Sequence, residues 1–225
     1  MDATASTRSR LPRAERESQI LDTARALFAE HGFGAVTMDA LATRVGVTKP
    51  LLYAYFANKD RLYIACMEPA GEAMLGTVAD AVGAAGGPAD ALRDGVRAFF
   101  AFVEDDRSSW RVLFDETLPA GGEIAQRVGE YRDRLLRLIA DSQLALLPTP
   151  HSARTMLETD ALSTALLGAS EALARWWLRT GAISAAAAAE LLIETVEPGL
   201  RSLGERTGAS SVNSHRAKSP TEPTA

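Results

Sequence analysis

The sequence predicts an all-α fold of about nine helices, a small N-terminal group followed by a larger C-terminal one, on three observations. β-Branched residues rarely cluster, apolar residues recur at intervals of three and four, and glycine or proline falls between the periodic runs. The boundaries that follow are 1–11 for a disordered basic arm, 12–62 for a compact N-terminal domain, 63–206 for a helical C-terminal domain and 207–225 for a disordered polar tail.

The first helix is expected from Pro12 to His31. Its apolar face carries Ile20, Leu21, Ala24, Leu27 and Phe28, proline is tolerated at its start, and Gly32 suits its end. Thr37 is placed to cap a short second helix bearing Met38, Leu41, Ala42 and Val45, and Gly46 supplies the left-handed residue of a sharp turn. Thr48 caps an equally short third helix. Pro50 is allowed in its first turn, where amides have no intrahelical partner, and Leu52 and Phe56 lie four apart facing inward. Asn58 caps a long fourth helix that runs to the loop at 83–88.

Helix 5 is read near 89–105 and helix 6 near 109–117, with a break at Pro119 to Gly122. Helix 7 follows to Leu147, its stripe Ile124, Val128, Tyr131, Leu135 and Leu138 spaced for burial. Helix 8 spans about 152–180. Helix 9, about 184–203 with Ser184 as cap, should be kinked or shortened by Pro198.

Composition excludes several classes. Hydrophobic residues make up 47% and charged residues 24%, the balance of a globular chain. No window approaches the roughly 20 apolar residues of a membrane span, so a cytoplasmic location is expected. One cysteine, Cys66, and three scattered histidines give no disulfide framework and no local metal-ligand spacing, so neither metal nor cofactor is expected. Cys66 reads as a small buried hydrophobe and His31 as a helix-end cation. The net charge of -5 conceals a division: residues 1–62 carry nine Lys/Arg against seven Asp/Glu, and the excess of acid lies beyond them.

Two short helices joined by a glycine-containing turn form a helix-turn-helix, in which the second helix enters a DNA major groove. In the third helix, Thr48, Lys49, Leu51, Tyr53 and Tyr55 point outward or laterally. Hydroxyls, ammonium groups and helix N-terminal amides satisfy phosphate oxygens, which suits Thr37, Tyr53, Tyr55 and Lys59. Lys49 can donate to guanine O6 and N7, and Leu51 can touch a thymine methyl. The arm residues Arg8, Arg10, Arg13 and Arg16 either reach DNA or form a solvated extension.

The run from Gly32 to Leu62 resembles the DNA-binding signature of the TetR (tetracycline repressor) family, through Gly32-Phe33, Thr37, Leu41-Ala42, Gly46-Val47, Leu52-Tyr53, Phe56 and Lys59-Asp60. The resemblance covers roughly residues 14–64 and departs from the family pattern at Pro50 and Tyr55. It implies phosphate contacts from Thr37, Thr48, Tyr53, Tyr55 and Lys59, with Lys49, Pro50 and Leu51 facing bases. It further implies a homodimer through helices 8 and 9 that binds an inverted-repeat operator, most simply as a repressor released by a small molecule. Helix 8 offers small residues at Ala161, Ala165, Gly168 and Ala172, and helix 9 offers Leu191, Leu192, Val196 and Leu200.

Phe99, Phe102, Val103, Trp110, Phe114 and Trp176 are the candidates to line a pocket for an apolar or aromatic effector, the alternative being plain core. Trp176 and Trp177 diverge by about 100° on a helix, so one faces the pocket and the other a dimer partner. Glu171 and Arg175, four apart, read as a surface pair. A rival class, an enzyme or carrier built on the C-terminal helices, finds no paired acid and base, nucleophile elbow or phosphate loop, and no catalytic residue is assigned. A DNA-binding protein with a filled core and no effector remains open.

Overall fold

The computed structural model describes residues 11–147 and 149–199. Arg8, Arg10, Leu200 and the segment 207–225 lie outside the described residues. Within these bounds there are nine helices and no strand: α1 (Arg13–Ala35), α2 (Met38–Val45), α3 (Lys49–Tyr55), α4 (Lys59–Ala84), α5 (Pro88–Asp105), α6 (Arg107–Leu113), α7 (Gly122–Leu144), α8 (Ala153–Thr180) and α9 (185–199).

The caps fall where side-chain chemistry places them. The Thr37, Thr48, Asn58, Ser152 and Ser184 side chains accept from backbone N–H groups of Ala40, Leu51, Arg61, Thr155 and Ala187. Gly46 and Gly181 close α2 and α8 in the left-handed conformation. α9 continues through Pro198 to residue 199, so proline does not end it within the described chain.

The chain divides into two compact units. The first takes the segment up to Gly71 together with Ser108–Val128, and the second takes Glu72–Arg107 together with the segment from Gly129 onward. The division differs from a cut at residue 62, because the first part of α4 and most of α6 belong with the N-terminal helices.

In the first unit, Tyr63 is fully buried, with Phe28 and Phe33 edge-on at 4.8 and 5.1 Å. Its hydroxyl donates to the Val112 carbonyl at 2.5 Å. α1 is interrupted at Gly32, whose φ of 77° turns the chain so that Phe33 N–H donates to Asp115 and Gly34 N–H donates to the Thr117 hydroxyl. Those two pairings account for α6 ending at Leu113 rather than near residue 117, because Asp115 and Thr117 serve the end of α1 instead of extending a helix. A Cβ at position 32 would stand 3.0 Å from Thr117 Oγ1 in a backbone region that disfavours L side chains. Gly32→Ala is therefore expected to cost about 2 kcal/mol, read as a fall in the urea midpoint at unchanged slope.

Cys66 lies in the same unit, 3% exposed. Burial pushes its thiol up to about 12. The group stays protonated in the fold, so the stability it contributes is intact below the ordinary thiol range near pH ~8.5 and is lost as pH rises toward about 12. Ellman's reagent at pH 8 should leave the native protein uncoloured over minutes and react at once in urea, whereas rapid native reaction would mean the thiol is exposed.

The second unit packs Phe99, Phe100, Val103, Leu135, Leu166, Leu167, Ala174, Trp177, Ala188 and Leu192 into its core. Trp177 donates its indole N–H to the Ile183 carbonyl at 2.7 Å. Glu171, expected at the surface with Arg175, is 4% exposed and takes its principal partner from α7 instead. Arg132 donates to it at 2.9 Å, while Arg175 stands at 4.0 Å. The i,i+4 rule identified a neighbour but carried no information about which helix packs over that face.

Candidate nucleic-acid interface and effector cavity

α2 and α3 meet at a turn closed by Gly46, whose N–H donates to the Ala42 and Thr43 carbonyls while Val47 N–H donates to Ala42. With Leu52 and Phe56 anchored in the core, α3 presents Thr48, Lys49, Pro50, Leu51 and Tyr53 to solvent. Leu51 and Tyr53 are 39% and 41% exposed, a substantial apolar and aromatic area for an isolated helix face. Thr37 and Thr48 each use an oxygen lone pair as a helix cap, which leaves the hydroxyl proton free to donate outward.

Three candidates have protein partners that the sequence did not reveal. Lys49 Nζ lies 2.7 Å from Asp39 in the first turn of α2, and the hydrogen bond and charge of Asp39 raise the lysine pKa above its ordinary value. Tyr55 is half-buried, with the Arg13 guanidinium 5.3 Å from its ring centre. Lys59 donates to the Phe33 and Val36 carbonyls at 2.9 and 3.1 Å and sits 4.0 Å from the Phe33 ring centre. Lys59 thus closes the end of α1 onto the start of α4, and one of its three N–H donors remains beyond those two bonds. Asp39 is the residue that sequence reasoning missed. Its only signal there is its place in the first turn of α2, next to the turn that brings Lys49 back.

The second unit holds a narrow cavity of about 40 Å³ between α4, α5, α7 and α8, lined by apolar side chains including Val78, Val96, Phe99, Leu135, Leu138 and Leu167. The hydroxyls that reach it, Ser142 and Ser170, donate to the carbonyls four residues earlier in their own helices. Of the residues expected to line a pocket, only Phe99 does so here. Phe102 and Val103 are buried but do not line this cavity, and Trp110 and Phe114, stacked at 4.0 Å, belong to the first unit. Trp176 is 37% exposed on α8, the opposite of a lining position, and its neighbour Trp177 fills the core. The helical period fixed the angles between these side chains, but not which face met a cavity.

Family profiles match both parts of the chain. One described as bacterial regulatory proteins, tetR family, covers residues 20–66, and one described as a tetracyclin repressor-like C-terminal domain covers 88–197. A crystal structure of a TetR-like transcriptional regulator from Rhodococcus sp. RHA1 is 35% identical, covers 85% of this chain and 99% of its own, and superposes with a TM-score of 0.70. The chain belongs to the TetR family.

Curated relatives in this TetR family include the transcriptional activator FasR of Mycolicibacterium smegmatis, 35% identical over 53% of this chain and 55% of its own length. The transcriptional repressor Rv1474c of Mycobacterium tuberculosis is 38% identical over 23% of this chain and 28% of its own. The chain thus spans about half the length of the first curated relative and less of the second. These relatives are transcription regulators, not enzymes, and α1–α3 of this chain form the family's helix-turn-helix domain. Among the described residues no helix is long and apolar enough to cross a membrane, and no cluster of metal-ligating side chains occurs.

Proposed function

We propose that this TetR-family chain is a homodimeric repressor that binds an inverted-repeat operator and is released by a small apolar effector. The observation that carries the reading is the solvent face of α3: Thr48, Lys49, Pro50, Leu51 and Tyr53 project from a helix anchored in the core by Leu52 and Phe56 and by the turn before it. Thr37, Tyr55 and Lys59 flank that face as phosphate contacts, while Lys49 and Leu51 read base edges.

Dimerisation is supported by a single stripe on α8. Leu157, Ala161, Ala165, Gly168, Ala172 and Trp176 recur at intervals of four or three, and of these Leu157 is 70% and Trp176 37% exposed. Large apolar ends flanking small central residues suit a two-fold contact in which the same surface meets itself. On α9, Leu191 is 52% exposed and continues the apolar surface, whereas Leu192 is committed to the core. A dimer so formed presents two α3 helices, which fit successive major grooves about 34–36 Å apart.

The cavity in the second unit supports effector binding, since its lining is apolar and carries no ionisable side chain. An effector lowers operator affinity only to the extent that it binds one conformation better than the other, and α4 contributes residues to both units, which makes it the transmitting element.

Selection of binding sites from random DNA at two salt concentrations tests the reading. An enriched inverted repeat supports it, while absence of enrichment at either salt contradicts it. A second reading, activation, is favoured by the 35% identity to FasR, named as an activator. A reporter carrying the selected site, with and without the regulator, separates the two by the direction in which expression changes.

A further inference from the structure

The second unit contains three polar side chains that are almost wholly enclosed yet have no hydrogen-bond partner at their polar atoms: Gln143 at both Oε1 and Nε2, Thr159 at Oγ1 and Ser163 at Oγ. They are 3%, 0% and 1% exposed. Buried polar groups are ordinarily paired, and clustered exceptions call for a physical account.

Their positions coincide. α7 and α8 are joined by a short connection, and the Arg132–Glu171 ion pair fixes how they lie against each other. From that pair, Gln143 is eleven residues along α7, roughly 16 Å. On the antiparallel α8, Ser163 and Thr159 are eight and twelve residues back, roughly 12 and 18 Å. Gln143 is therefore level with the turn between Ser163 and Thr159. The faces agree as well. Gln143 follows the cavity-lining Ile139 by four residues, Ser163 precedes Leu167 by four, and Thr159 precedes Ser163 by four. None of the three lines the cavity itself; helical spacing places them one turn beyond Ile139 and Leu167, toward the α7–α8 connection.

We propose that Gln143, Thr159 and Ser163 form the polar end of the effector site, and that the effector is an uncharged amphiphile. Its apolar body occupies the cavity and its carboxamide, ester or ketone group pairs with these side chains. The inference rests on the reading of the second unit as an effector-binding domain and specifies the ligand class of that site. A glutamine amide offers both donor and acceptor, and the two hydroxyls add adjustable donors, so a carbonyl with or without an N–H is matched. A carboxylate is not matched. The cavity lining has no cation, Arg132 is engaged with buried Glu171, and a further orphaned group toward that end, His151 Nδ1 in the α7–α8 connection, is a single ring nitrogen, so a charged head would enter with little compensation. The lining from Leu135 to Ser142 spans seven residues of α7, about 10 Å, the length of a chain of about eight carbons, and the cavity of about 40 Å³ must widen to admit one.

The test titrates the full chain with n-octanamide and with sodium octanoate at pH 7.5 by calorimetry, alongside thermal unfolding without ligand. Octanamide is expected to bind the wild type at least tenfold more tightly than octanoate. Thr159→Val, which keeps the shape and removes the orphaned hydroxyl, is expected to weaken octanamide about tenfold while raising the ligand-free Tm by about 2–4 °C. A merely structural threonine would lower the Tm instead. Ser163→Ala and Gln143→Leu carry the same comparison should Thr159→Val fail to fold. Octanoate binding as tightly as octanamide, no octanamide binding to the wild type, or octanamide affinity unchanged in all three variants would each overturn the proposal. Operator selection with the same preparations keeps the two readings apart: loss of DNA binding by the wild type defeats the regulator reading, whereas these ligand outcomes defeat only the polar end.

Discussion

Lys49→Ala is expected to weaken operator binding by at least tenfold, with much of that loss specific to the selected sequence. A lysine donating to guanine O6 and N7 contributes about 1–3 kcal/mol of discrimination, and the alanine variant loses that contact as well as a positive charge near the phosphates. The free protein complicates the comparison in an informative way. Asp39 holds Lys49 at 2.7 Å, so the lysine must give up an anionic partner to reach a guanine edge. Both members of the pair are exposed and the interaction is worth little in stability. Asp39 also stands as a negative charge against the approaching duplex. Asp39→Asn is therefore expected to tighten DNA binding several-fold without altering thermal stability appreciably. Fluorescence anisotropy against the selected site and a scrambled site, across a salt series, checks both variants. Equal losses on the two sites for Lys49→Ala would reduce it to a phosphate contact.

Tyr63→Ala is expected to be the most destabilising single substitution discussed, by about 3–5 kcal/mol. The side chain is fully enclosed, carries two edge-on aromatic contacts and donates to the Val112 carbonyl. Burial also holds its hydroxyl well above the ordinary phenol range, so it remains a donor at all physiological pH values. Tyr63→Phe isolates the hydrogen bond: it keeps the rings packed, leaves a buried carbonyl without its partner and should cost about 1–3 kcal/mol. Chemical denaturation of the two variants against the wild type gives both figures. A loss under 1 kcal/mol for Tyr63→Ala would mean the first unit is not organised around this ring.

What could be read from the sequence was local. The caps at Thr37, Thr48, Asn58 and Ser184, and the left-handed Gly46, depend on a few consecutive residues and were all legible. Features made by chain segments far apart were not. Nothing near Asp115 and Thr117 signals that they receive the N–H groups of Phe33 and Gly34, and this is why α6 is shorter than its periodicity suggested. The same limit applies to the cavity. Aromatic residues advertised themselves as lining, yet the space is bounded mostly by valine and leucine, with Phe99 the one expected residue present. Trp176 illustrates the reason: helical spacing separates it from Trp177 by about 100°, but only the packing of the second unit decides which of the two is enclosed.

On the proposed reading, α3 is presented twice by a two-fold dimer and reads DNA. The most direct measurement compares the consensus selected from random DNA by the wild type with that selected by Lys49→Ala. The expected result is an inverted repeat whose information is lost, in the variant, at one position in each half-site, placed symmetrically about the centre. An unchanged consensus, or a change in only one half of the site, would contradict it.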